Sequence, residues 1–114
     1  MKEGTAPARA GGGAGAAPEQ VNIILTKSDD QNSILVVPGK FYIHVGDQVE
    51  WRCQSDGFSV DFNGVNGSPF GTTSHYQRAG SGSIPSGLAT KTGNFKYTVT
   101  VDGNVLDPNG QVDP

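Results

Sequence analysis

A chain of 114 residues with 17 glycines and 7 prolines, 34% hydrophobic and 17% charged, has room for one small domain and too little helix-forming sequence for a bundle or coiled coil. Eight basic against eleven acidic residues give −3 at pH 7, which supplies no electrostatic grip on a phosphate backbone, so nucleic acid is not an expected partner. No apolar run approaches the roughly 18 residues of a spanning helix and the N-terminus lacks the apolar centre of a signal peptide, so a soluble chain without membrane insertion is expected.

Residues 1–20 contain no Val, Ile, Leu, Phe, Tyr or Trp, and Ala10 to Ala17 is Gly and Ala alone. Such a segment cannot bury enough apolar surface to offset its ordering entropy, so it reads as a disordered tail or linker, with a domain over 21–114. The single cysteine, Cys53, has no internal partner, and the fold must stand on its apolar core.

From Val21 onward, short apolar runs alternate with turn residues, the mark of an all-β domain. Val21 to Thr26 is the first expected strand, a polar loop spans Lys27 to Asn32, and Ser33 to Val37 stops at Pro38-Gly39. Between Lys40 and Val45, alternation puts Phe41, Ile43 and Val45 on one face, with Tyr42 and His44 on the other. After the turn pair Gly46-Asp47, Val49, Trp51 and Cys53 share an inward face while Glu50 and Arg52 face water; Asp56-Gly57 reads as the closing hairpin turn. Phe58, Val60 and Phe62 then point inward. Asn63 to Gly82, rich in glycine, reads as a long crossing loop, and Ser83 to Thr90 as a short edge strand limited by Pro85. Phe95, Tyr97, Val99 and Val101 alternate cleanly, and Asp102-Gly103 predicts a type I′ turn into Asn104 to Leu106. Seven to eight strands with no long helix predict a Greek-key β-sandwich.

The run Val45-Gly-Asp-Gln-Val-Glu-Trp51, the aromatic strand Phe58-Ser-Val-Asp-Phe62 and the late Gly93-Asn-Phe-Lys-Tyr-Thr-Val99 together resemble the cupredoxin pattern over about residues 21–108. In that family a V-x-x-G-D-x-V-x-W strand pair leads to a strand opening with histidine, and a G-x-F-x-Y strand leads to the remaining copper ligands. The resemblance implies a site of two imidazoles, a thiolate and a weak axial Met. Here the place of the first histidine falls at Phe58 or Ser59, and the Cys-His-Met loop is replaced by Asp102-Gly-Asn-Val-Leu-Asp107. Met1 lies in the tail. The expectation is a cupredoxin-like domain without its copper ligands, hence no cofactor, and the resemblance alone favours a periplasmic or extracellular location.

His44, Cys53 and His75 are the only soft or borderline metal ligands, and the alternative is a rearranged copper-handling site built from them. Alternation opposes it, because His44 points outward, Cys53 points inward, and His75 lies in the glycine-rich loop. Ser74-His75, Ser68 and Asp61 are the nearest thing to a nucleophilic set, without a G-x-S-x-G elbow. The adjacent Asp29-Asp30 pair diverges in a turn and supports no glycosidase chemistry. Asn66-Gly67-Ser68 matches a glycosylation acceptor. What remains is a non-enzymatic binding or structural module whose specificity sits in the 63–82 loop. Phe70, Tyr76, Gln77 and Arg78 there suit a protein or carbohydrate partner. The bland reading is that Phe70 and Tyr76 merely pin the loop to the core.

Overall fold

The computed structural model describes residues 18–28 and 32–114; most of the expected tail, with Met1, and the Asp29-Asp30 pair lie outside the described residues. Eleven strands follow in chain order: β1 Gln20–Lys27, β2 Ile34–Val37, β3 Lys40–His44, β4 Gln48–Cys53, β5 Phe58–Asp61, β6 His75–Arg78, β7 Gly82–Pro85, β8 Gly93–Lys96, β9 Thr98–Val101, β10 Asn104–Leu106 and β11 Asn109–Asp113. One sheet has the order β2-β1-β4-β7, with β1 antiparallel to β2 and parallel to β4. Facing it are β10-β9-β5-β6 and β3-β11-β8, the latter with β3 parallel to β11. The two facing sheets share one long hairpin: β8 runs into β9 and β10 into β11. At the break, the Tyr97 N–H donates to the Pro108 carbonyl at 3.1 Å. Asp102 and Gly103 turn that hairpin with φ of 50° and 80°, the positive values a type I′ turn requires.

Alternation builds the core as expected. Val49, Trp51 and Cys53 are buried on β4 between Gln48, Glu50 and Arg52. Trp51, fully buried, is the centre of the packing between layers, with ring centroids 5.0 Å from Tyr76, 5.9 Å from Tyr97, 6.0 Å from Phe62 and 6.1 Å from Phe70. Its indole Nε1 and the Tyr97 hydroxyl are buried without a well-formed hydrogen bond. Burial pushes the Tyr97 hydroxyl up to about 12, against a smaller opposing pull from Trp51.

The Gly46-Asp47 pair has a structural task. The Asp47 carboxylate is buried and accepts the backbone N–H groups of Glu19 and His44, each at 2.9 Å. Its backbone carbonyl takes the Ala89 N–H at 2.8 Å, and Gly46 N–H donates to Ala89 O at 2.9 Å. One turn thereby ties the start of β1, the end of β3 and the 86–92 segment together, satisfying donors that would otherwise be stranded.

Several expectations need correction. The described residues form eleven strands, not seven or eight, because long runs split at Tyr97 and Pro108 and because β6 and β11 form where few apolar residues announce them. β6 grows on β5 with Asp61 opposite His75 and buries only Tyr76, so the supposed 63–82 loop contains a strand. β11 includes Gly110, where a Cβ would overlap the Phe41 ring. Asp56-Gly57 does not close a hairpin, since β4 and β5 lie in different sheets. Val45 is exposed because β3 ends at His44 and residues 45–46 form a turn. The edge strand expected over 83–90 is shorter, ending at Pro85, and Leu88 is exposed.

Candidate functional site

The three soft donors occupy three separate places. His44 ends β3 on an outer face, 3.7 Å from Asp47. Cys53 ends β4 on the inner face of the opposite layer, 0% exposed, with Sγ 3.7 Å from Ser55 Oγ. His75 starts β6 on an outer face, its Nδ1 paired with Asp61. Metal–ligand bonds are about 2.0–2.3 Å long, so side chains on opposed faces cannot share one ion. Among the described residues no group of three His, Cys, Asp or Glu side chains is placed to hold a metal. At the positions that the resemblance assigns to copper, Phe58 is a buried hydrocarbon ring opposite Val101, Ser59 is a hydroxyl opposite Thr100, and residues 102–106 are a tight turn and a strand. This donor set does not fit a two-imidazole, one-thiolate centre.

A polar cleft of about 390 Å³ lies at the same end of the sandwich, between the β4–β5 loop, the end of β6 and the β9–β10 turn. Asp56, Ser59, Gln77, Arg78, Thr100 and Asp102 are among its walls. Beside it, Lys27 Nζ sits 3.1 Å from Asp102 Oδ2 and 3.3 Å from Asp56 Oδ2. Its hydrogen bond to Asp102, then that to Asp56, holds the ammonium above the usual lysine range. Asp56 is held below its usual range, first by a hydrogen bond from Ser55 and then by Lys27. Backbone closeness shapes the wall: a Cβ at Gly57 would overlap the carbonyl of Ala79. Arg78 Nε donates to Ser81 O at 2.8 Å and its guanidinium lies over Gly82, where only glycine leaves room.

Of the four expected binding residues, Gln77 and Arg78 are exposed and reach this cleft. Phe70 and Tyr76 instead enter the core. Both rings pack on Trp51, and the Tyr76 hydroxyl, pushed up to about 12 by burial, donates to Ser86 O at 2.8 Å. Sequence reasoning missed Ser59, Thr100, Asp56 and Asp102 as cleft walls. Alternation already turned Ser59 and Thr100 outward, but their meeting with Gln77 depends on β5–β6 pairing that no apolar pattern signals.

The nucleophile reading gains nothing from the geometry. His75 presents Nδ1 to Asp61 and Nε2 to Gln77 Oε1 at 3.4 Å, and Ser68 Oγ is buried, accepting the Phe70 N–H at 3.0 Å. The Asp61 hydrogen bond, then that of Gln77, raises the His75 pKa above its ordinary value. Asn66, in the glycosylation triplet, donates its amide to Asn94 O at 2.8 Å.

No family model matches the sequence, and no curated protein matches it in sequence. Solved structures do resemble it. A purple cupredoxin from Nitrosopumilus maritimus aligns with TM-score 0.58 and 18% identity over 82% of this chain and 99% of that one. A Cu(I) amicyanin mutant aligns at 0.52 and 12% over 82% of each chain. A pseudoazurin from Sinorhizobium meliltoi aligns at 0.52 and 14%, covering 84% of this chain and 75% of its own. Identities this low speak for the fold, which is cupredoxin-like.

Proposed function

We propose that this cupredoxin-like sandwich is a non-enzymatic binding or structural module that works without bound copper. One observation carries the reading: the end of the sandwich where the resemblance expects metal ligands holds Phe58, a tight Asp102-Gly103 turn and a polar cleft. Of the candidate donors, His44 and His75 meanwhile lie on outer faces of different sheets and Cys53 on the inner face of the opposite layer. Gln77 and Arg78 are the contact residues for a protein or carbohydrate partner at that cleft, and Phe70 and Tyr76 hold the β5–β6 region on the core behind them. Recognition here rests on loops and turns carried by a rigid scaffold. The folded unit in this reading is 21–114, and a periplasmic or extracellular location goes with the likeness in fold.

Calorimetry with and without one equivalent of Cu(II) tests the metal part. A ligand at 100 times its Kd stabilises by about 2.7 kcal/mol, which moves Tm by roughly 10–20 °C in a domain of this size. The expected result is an unchanged midpoint. A rise that saturates at one copper per chain would establish the copper-handling alternative with His44, Cys53 and His75.

A further inference from the structure

The outer face of β3-β11-β8 differs from the rest of the surface in charge and chemistry. Strand register places Lys40, Asn109 and Lys96 in one row and Tyr42, Gln111 and Asn94 in the next, with His44 and Asp113 beyond. Tyr42 is 63% exposed, the most exposed aromatic ring of the chain's described residues. Lys40 Nζ lies over its ring, 5.2 Å from the centroid, so an ammonium and an aromatic ring stand together on this face. Among the described residues neither Lys40 nor Lys96 has a carboxylate within ion-pair range, unlike Lys27 with Asp56 and Asp102, or Arg52 with Glu50. Two strand spacings of about 4.8 Å set Lys40 and Lys96 roughly 10 Å apart across Asn109. Asp113 is the one acid on the face, and it accepts the Gln111 amide at 3.0 Å. The acids Asp56, Asp61 and Asp102 lie instead on or beside β5 and β9, while Asp107, between β10 and β11, shares a small cleft with Lys96 beyond ion-pair range. A chain of net charge −3 therefore carries on this one face two lysines outside ion pairs, three carboxamides and an exposed aromatic ring.

We propose that this face binds an anionic polysaccharide, of the uronate class, lying across the three strands. Lys40 and Lys96 would pair with carboxylates about two strand spacings apart. Tyr42 would cover the C–H side of a sugar ring, and the carboxamides of Asn94, Asn109 and Gln111 offer both donors and acceptors to hydroxyls. Charge complementarity decides against a neutral glycan; among the described residues of these three strands Tyr42 is the only exposed large apolar side chain, which decides against a protein, whose interfaces disfavour lysine and rest on packed aromatic or aliphatic pockets. The site is distinct from the cleft at Gln77 and Arg78 and stands whether or not that reading holds.

The probe is polygalacturonate, titrated into isotope-labelled protein with amide shifts followed by NMR, beside dextran and poly-glutamate. Expected are shifts confined to β3, β11 and β8, with dextran and poly-glutamate each at least about tenfold weaker. Lys40→Gln with Lys96→Gln, and separately Tyr42→Ala, should each weaken polygalacturonate at least about tenfold, while Arg78→Gln leaves it unchanged. All four positions are surface ones, and a thermal scan of each variant reports folding. Absence of binding, a footprint on another face, equal binding of poly-glutamate, or full affinity in Tyr42→Ala overturns the proposal. Loss on Arg78→Gln with shifts at the cleft would move the glycan to the cleft beside Gln77 and Arg78 and overturn the proposal.

Discussion

Trp51→Ala is the sharpest test of how this chain folds. The indole is fully buried on the inner face of β4 and packs against Phe62, Tyr76 and Tyr97 and against Phe70 of the β5–β6 connection, so its loss empties the centre of the sandwich. Truncating a buried Trp costs on the order of 3–5 kcal/mol, against a total stability of roughly 5–15 kcal/mol for a domain. Each lost aromatic pair adds about 0.5–1.5 kcal/mol, not additively, which puts the upper end of that range in reach. Glu50→Ala is the control one residue away. Its carboxylate faces outward and accepts from Gln20 and Arg52, contacts of a kind worth about 0–1 kcal/mol. Urea unfolding followed by circular dichroism, which does not depend on the missing indole, should give a large drop in midpoint for Trp51→Ala and little change for Glu50→Ala. Equal sensitivity, or the reverse order, would mean that the register of β4 is wrong by one residue and every face along it inverted.

Asp47→Ala should destabilise by about 2–4 kcal/mol in the same assay, because two backbone N–H groups lose a charged acceptor, while Asp47→Asn should recover part of the loss. The raised His75 pKa stabilises the fold fully below about pH 6.5, its unfolded value, and that contribution fades as pH rises through the folded value; Asp61→Asn should flatten this stretch of the stability profile and lower the pKa read by NMR. Deleting residues 1–18 should leave the thermal midpoint within a few degrees, and loss of the cooperative transition would refute a domain boundary near residue 20.

Much of the layer architecture was legible because period-two alternation in the 48–53 and 95–101 runs names the buried face directly, and Asp102-Gly103 names the turn between two strands. The Gly46-Asp47 motif was visible, but its task was not, since it depends on Glu19 and Ala89 far away in sequence. β6 and β11 were illegible for a similar reason: His75-Tyr-Gln-Arg78 and Asn109-Gly-Gln-Val-Asp113 carry one large apolar residue each and become strands only through neighbours already in place. The bland reading of Phe70 and Tyr76 as anchors describes where their rings lie. Gln77 and Arg78 reached a shared cleft only because β6 pairs with β5, a long-range event no local spacing encodes.

The visible absorption spectrum with stoichiometric Cu(II) tests the central claim most directly. A cupredoxin-like sandwich whose imidazoles and thiolate do not converge should stay colourless through one equivalent of copper. An intense band near about 600 nm, reaching its maximum at one copper per chain and lost in Cys53→Ala, would contradict the account and place Cys53 at a metal centre.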